Sequence, residues 1–228
     1  MNINKKNISI IVAVVVVIII AVLGFNITKD IVTNSNKKTS TELTKKLETL
    51  NKKYPEAKAW LKVNNTTINM PVFQSNDNNK YLRLNRDGKE AKWGEAYLDY
   101  RVDLKKINDK SNIIIYGHNT EQDTLFTPLL KYKDEEFFKK NKTIQLAIKD
   151  KEYKFEIISA FVTDTSYFYI DTEFKNVEEY DNFTNEIKSK SIYDTGVKLK
   201  SNDTILTLST CEYSIENGRF VVVARLVK

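Results

Sequence analysis

The chain of 228 residues holds one cysteine, Cys211, and one histidine, His118. A single thiol excludes an internal disulfide; in a domain outside the cell it leaves an intermolecular bridge or a free reactive thiol. One histidine and one cysteine do not make a typical zinc ligand set, so neither a metal nor a cofactor is expected. Only 3 prolines and 6 glycines are present, which excludes collagen-like and proline-rich architectures. No internal repeat, Arg-rich helix or basic-aromatic signature occurs, so nucleic acid is set aside as a partner. Charge is mildly asymmetric, with 36 Lys+Arg against 30 Asp+Glu.

Residues 8–25 carry no charge and are nearly all Val, Ile, Ala and Leu. As a helix, such a run spans about 27 Å, close to the hydrocarbon thickness of a bilayer. Lys5 and Lys6 precede it, so the N-terminus is expected in the cytoplasm and the rest outside. The rival reading is a cleaved signal peptide. Its apolar region would be shorter, and Ala21-Val22-Leu23-Gly24-Phe25 is a poor cleavage site. Setting aside Lys5, Lys6, Lys29 and Asp30 lowers the net charge from +6 to +4. That excess suits an anionic envelope and is also ordinary for a soluble domain. Three segments result: 1–30 as cytoplasmic tail and membrane anchor, 31–40 as linker, and 41–228 as one extracellular domain.

The domain reads as many short strands with a few helices inserted. Thr39 with Glu42 makes a capping box, and Leu43, Leu47, Leu50 and Tyr54 then follow at helical spacing until Pro55. The face they form is expected to pack on the domain that follows. Strand patterns cover 59–63, 68–72, 94–99, 112–116, 143–148 and 153–162, with a turn at Asn64-Asn65-Thr66 and another at Lys149-Asp150-Lys151. Segments 124–130 and 134–141 read as helical. Between 164 and 201 no strand alternation appears, but Val177, Tyr180, Phe183 and Ile187 repeat at helical spacing, and a connection this long is usually functional. The fold class is mostly β, a largely antiparallel barrel.

The stretch with the most chemistry is Thr207-Leu208-Ser209-Thr210-Cys211, with Arg219 eight residues on. Leu206 and Leu208 share one strand face; Thr207, Ser209 and Cys211 share the other, with Ile205 out of phase. Arg219 opens the final strand on the same face as Val221, Val223 and Arg225. Two neighbouring strands can thus present a thiol and a guanidinium on one surface. A thiol is nucleophilic as the thiolate, which a nearby imidazole or guanidinium favours. By composition alone, a lone cysteine is more often a small buried hydrophobe, His118 a satisfied strand-end histidine, and Arg219 a partner for Glu212 or Glu216.

The pentapeptide with its trailing arginine resembles the active-site signature of sortases, cysteine transpeptidases of Gram-positive cell surfaces. Trp60-Leu61, the 68–72 strand, Gln74, Asp77-Asn78, Tyr97 to Arg101 and Ile114 to Asn119 fall in the order seen in class B sortases. A helix at 41–53 and another at 177–190 fit the same class. Met70 stands where aromatic residues are common, and the resemblance covers roughly 40–228. It implies an eight-stranded sortase-like barrel with a helix before it and a helix in the long connection before the cysteine strand. Carried over residue by residue, Cys211 is the nucleophile, His118 the general acid/base, and Arg219 the oxyanion or substrate-binding cation. Ser209, Glu212, Tyr167 and Tyr169 are substrate contacts. The implied partners are surface proteins with a C-terminal sorting motif and a cell-wall cross-bridge amine, with the membrane held through the N-terminal helix. The implied site lies at the outer membrane face.

Two other classes stay in view. A papain-like enzyme is disfavoured because its cysteine precedes its histidine, and a lipoprotein because Cys211 lies far from the apolar run. A membrane-anchored binding domain with a structural cysteine remains the alternative. One local conflict matters. Asn217-Gly218 is a strong signal for a two-residue hairpin turn, which would set Cys211 opposite Ala224 and leave Arg219 over about 15 Å away. An open loop over 212–218 instead sets Cys211 nearly opposite Arg219. The chemistry requires the open loop, so the tight turn is expected not to set the register.

Overall fold

The computed structural model describes residues 40–107 and 110–227. The apolar anchor, the linker before Ser40 and Thr39 lie outside the described residues. Among the described residues no helix is long and apolar enough to cross a membrane.

Helix α1 (Glu42–Lys53) is capped by Thr41, whose Oγ1 accepts from the Thr44 amide at 3.3 Å. The cap is therefore two residues later than the Thr39–Glu42 box anticipates. The first buried leucine of the stripe, Leu43, comes two residues after Thr41, so capping there leaves no unburied turn ahead of the face. Leu47 is buried with Ala57, Phe73, Tyr81 and Tyr97, and Leu50 and Tyr54 pack against that cluster. The amphipathic face is thus spent on the domain itself.

Eight strands close into a barrel. They are β1 (Ala57–Val63), β2 (Asn69–Phe73), β3 (Tyr97–Leu98), β4 (Asn112–Tyr116), β5 (Thr143–Ile148), β6 (Lys151–Thr163), β7 (Ile205–Cys211) and β8 (Arg219–Leu226). Their order around the barrel is β1-β2-β3-β4-β7-β8-β6-β5. β2–β3 and β4–β7 pair in parallel, and the other neighbours are antiparallel. The strand expected over 94–99 shrinks to two residues. Gly94 lies in the left-handed region at φ 53, and Glu95 is drawn to Arg86 at 2.8 Å, so the first half of that stretch serves other contacts. The first helical stretch after β4 is a 3-10 helix at Thr127–Lys133, with Pro128 at its start. Between it and β5 lies α3 (Glu135–Lys140), capped by Asp134. The short helix α2 (Lys80–Arg83) lies between β2 and β3. The helix in the long connection, α4 (Val177–Ser189), starts where the periodicity places it.

The barrel interior is filled by Leu61, Ile68, Val72, Leu98, Ile114, Phe126, Leu146, Phe155, Leu208, Phe220 and Val222, among others. A second buried cluster lies on the outside of β6, β7 and β8. There Ile158, Phe161, Ile205, Val221 and Val223 are covered by Tyr169, Ile187 and Val197 of the long connection. A register shift between Ile157 and Ser159 in β6 accompanies this cover, and Ser159 Oγ donates to the Ile187 carbonyl at 2.8 Å. Ile205 is out of phase for an open sheet because both faces of β7 are buried.

Candidate active site

Three adjacent strands build the site. β4 and β7 run in parallel with Tyr116 opposite Ser209. His118 and Cys211 each lie two residues beyond that pair, so equal offsets bring the imidazole and the thiol to one end of the barrel. Two hydrogen bonds lock the ends together: the Gly117 amide donates to the Ser209 carbonyl at 3.2 Å, and Thr210 Oγ1 to the Gly117 carbonyl at 2.7 Å. Asn119 Nδ2 adds a donation to the Cys211 carbonyl at 3.0 Å. Gly117 is needed for this approach, because a Cβ there would lie 2.5 Å from the buried Phe126 ring.

On the other side of Cys211, the β7–β8 ladder pairs it directly with Arg219. The open loop is therefore the one that forms. The Glu212 amide donates to the Gly218 carbonyl at 3.0 Å and the Gly218 amide to the Ile215 carbonyl at 3.2 Å, with Asn217 taking the left-handed conformation at φ 52. Gly218 serves close approach: a Cβ there would lie 2.3 Å from the Glu212 carbonyl oxygen. Arg219 has no carboxylate partner among the described residues. Its Nη1 donates to the Gly218 carbonyl at 2.8 Å and to that of Asn217 at 3.2 Å.

A cleft of about 100 Å³ is lined by Leu82, Tyr97, Tyr116, Gly117, His118, Ser209, Thr210, Cys211 and Arg219. Larger hollows exist beside α1, but they hold none of these groups. Cys211 is half-buried, open to the cleft. Tyr97 and Tyr116 wall the cleft as neutral phenols. Burial and the nearby Asp99 carboxylate push Tyr97 up to about 12 and raise Tyr116 as well. Asp99 is fully buried and accepts from Arg101 Nε at 2.8 Å, Tyr116 Oη at 2.9 Å and Asn78 Nδ2 at 3.0 Å. Its burial alone would raise the carboxyl, but Arg101 and the other donors outweigh that and hold it below its ordinary range.

A sortase-domain family model matches residues 61–227. Sortase B of Staphylococcus aureus is 33% identical over 236 residues, covering 96% of each chain. Sortase B of Listeria monocytogenes is 36% identical over 203 residues, covering 88% of this chain and 80% of that one. The chain belongs to the class B sortases. Solved structures agree with the fold. A substrate complex of S. aureus sortase B superposes with a TM-score of 0.76 at 33% identity, over 88% of this chain and 91% of that one. Clostridium perfringens sortase B gives 0.74 at 37% identity, over 79% and 99%. The sortase is thus a cysteine transpeptidase of the cell-wall type, with the eight-stranded barrel that the resemblance implies.

In this sortase the three principal residues lie together, and Ser209 lines the cleft beside them. Glu212, Tyr167 and Tyr169 do not line it. Tyr169 stands behind Ser209, with its hydroxyl 2.8 Å from Ser209 Oγ, and Tyr167 stacks on Tyr169 at 6.2 Å. Glu212 is 6% exposed and turns to Lys133 Nζ at 2.6 Å and Ser214 Oγ at 2.5 Å. Residues that the sequence reading passes over are the Leu82 carbonyl, 3.0 Å from His118 Nε2, and Trp93, whose ring centre is 5.6 Å from that of His118. No local pattern marks them, because Leu82 offers only a backbone carbonyl of the one-turn helix α2 and Trp93 lies in the irregular stretch before β3.

Glu212 ties the β7–β8 loop to the body of the domain, and its titration tests that tie. Burial alone would raise its carboxyl, but Lys133 and the Ser214 hydroxyl and amide outweigh burial and hold it down to about 2. A depressed folded value stabilises the fold above the ordinary unfolded value of about 4.3, and that stability is lost as pH falls through the folded value. Glu212→Gln should therefore cost about 1–3 kcal/mol at pH 7. Lys133 is partly exposed, so solvent screening favours the lower end. Denaturant melts should show the gap closing between about pH 5 and pH 2. A gap that does not change with pH would remove the ion pair as its source.

Proposed function

We propose that this sortase joins surface proteins carrying a C-terminal sorting motif to a peptidoglycan amine through a thioester on Cys211, working from an anchor formed by residues 8–25. One observation carries the catalytic part: Cys211 sits between Arg219, its cross-strand partner, and the end of β4 that bears His118, and all three line one cleft. The Cys211 thiolate attacks the scissile carbonyl. The guanidinium of Arg219 is permanently charged and stabilises the resulting oxyanion without titrating. Protonated His118 hands its proton to the departing amine, which leaves an acyl thioester on Cys211. An amine then attacks the thioester and displaces the thiolate, so the peptide is transferred rather than hydrolysed. The half-buried thiol in a cleft speaks against a structural cysteine.

Ser209 is proposed as a direct substrate contact. Tyr169, Tyr167 and Glu212 are proposed to act from behind, by holding Ser209 and the β7–β8 loop in place. An amine acceptor is supported by a sortase B structure captured with triglycine, and a peptide donor by the S. aureus sortase B substrate complex. The uncharged 8–25 run behind Lys5 and Lys6 supports a cytoplasmic N-terminus and a catalytic domain at the outer face.

Two readouts test this reading. Incubated with a peptide library, the enzyme should gain the mass of an acyl group on Cys211, and an added amine should discharge it as a peptide-amine adduct. Failure to form the adduct with any peptide would end the transpeptidase assignment. Protease added to wall-stripped cells should digest residues after about 30, the end of the proposed anchor segment; full protection of the domain would reverse the orientation.

A further inference from the structure

His118 lines the cleft, yet its Nε2 is already engaged with the Leu82 carbonyl at 3.0 Å. A carbonyl only accepts, so Nε2 must carry the proton in that bond. No other hydrogen bond to the ring occurs among the described residues, which leaves Nδ1 as the nitrogen free to exchange a proton. The Trp93 ring meets the imidazole edgewise, with centres 5.6 Å apart and planes at 62°.

The two partners of the ring are fastened to each other. Segment 91–95 lies against α2 through three hydrogen bonds of its own. The Ala91 amide donates to the Arg83 carbonyl at 2.8 Å, and the Glu95 amide to the Tyr81 carbonyl at 2.9 Å. Arg83 Nη1 donates to the Lys92 carbonyl at 3.2 Å. Between them Gly94 takes φ 53, and a Cβ there would lie 1.9 Å from the Tyr81 carbonyl oxygen and 2.9 Å from that of Leu82. The glycine thus lets one backbone press on the other and fixes where the Leu82 oxygen and the Trp93 ring stand. Trp93 is only half-buried, so core packing does not account for it. Lys92 Nζ lies over its ring, 4.4 Å from the ring centre, and reaches Glu121 at 3.4 Å.

We propose that Trp93 is a positioning residue, and that with the Leu82 carbonyl it presets His118 to work through Nδ1. This rests on the role of His118 given above. The imidazolium gives its Nδ1 proton to the departing amide nitrogen as the carbon–nitrogen bond breaks. The neutral ring left behind carries its hydrogen on Nε2, the tautomer that the Leu82 carbonyl already holds. Donation from Nε2 would instead sacrifice that hydrogen bond at the moment of transfer. A ring held by carbonyl and indole also reaches the reacting atoms without a search over rotamers.

Because His118 is the sole histidine, its ring is directly readable. The full chain in detergent micelles, with 15N in the histidine ring, gives a single pattern of long-range proton–nitrogen couplings. At about pH 8.5, where an ordinary imidazole is neutral, Nε2 should appear protonated and Nδ1 bare. A dominant Nδ1–H form would overturn the proposal with no variant needed. Trp93→Ala should mix the two tautomers and lower kcat about 10- to 100-fold with KM little changed, and Trp93→Phe should recover most of both. An alanine variant with wild-type tautomer and kcat, or with a change in KM alone, would remove Trp93 from the mechanism. The tautomer is read without substrate, so it stands or falls separately from the acyl-enzyme assay. If Nε2–H is found but His118→Gln keeps full activity, the acid/base reading fails and takes the Nδ1 role with it.

Discussion

Cys211→Ala is expected to abolish peptide cleavage and transfer, by roughly 10³-fold or more, while the domain keeps its fold. The thiol is half-buried at the end of β7, and the strand is held by its backbone ladders to β4 and β8. Loss of one sulfur therefore removes little packing, and the melting temperature should move only slightly. What disappears is the proposed nucleophile of the acyl intermediate. His118→Ala should be similarly disabling, and the double variant should be no worse than either single one, since groups that act in one step are not additive. The measurement is turnover of an accepted peptide beside a thermal melt. Substantial cleavage by purified, folded Cys211→Ala protein would end the nucleophile assignment.

Arg219→Ala is expected to lower kcat by about 10²–10³-fold, the cost of one donor aimed at a developing oxyanion. The resting geometry explains why lysine should not restore it. One guanidinium nitrogen, Nη1, rests on the Gly218 and Asn217 carbonyls, which steadies the fork and leaves its other nitrogens for substrate. An ammonium is a compact point charge and cannot hold two carbonyls and an oxyanion in a fixed plane. Arg219→Lys should therefore recover only part of the loss. Steady-state kinetics with a cleaved peptide decide it. A change confined to KM would make Arg219 a substrate anchor, and no change in either constant would remove it from catalysis.

Strand and helix periods were legible from the chain itself, whereas the one cap read from it fell two residues early. β4 lies where its apolar run places it, because a strand buried on both faces leaves an uninterrupted apolar stretch, and β5 spans the residues its pattern marks. The same holds for α4, whose Tyr180, Thr184 and Ile187 bury one stripe behind the cap of Asn176. The segment before β3 was less legible. Its backbone is shaped by a left-handed glycine and by the partners of Glu95, which lie several residues away in sequence. Glu212 shows the same limit at the site: nothing near it in sequence announces Lys133, 79 residues earlier.

The sequence by itself limited the candidates for the proposed reactive set, because a chain with one thiol and one imidazole leaves no choice of residue for either role. It also determined that Cys211 and Arg219 flank one loop, and the need for the two to meet selected the open loop over the tight Asn217-Gly218 turn. Only the tertiary structure decided how that loop closes. Gly218 must lie against the Glu212 carbonyl, a contact that any side chain would block. Only the tertiary structure, too, decided which nitrogen of His118 is free. That follows from Leu82 and Trp93, brought to the ring by packing at Gly94, and such close backbone approach leaves no period in the sequence.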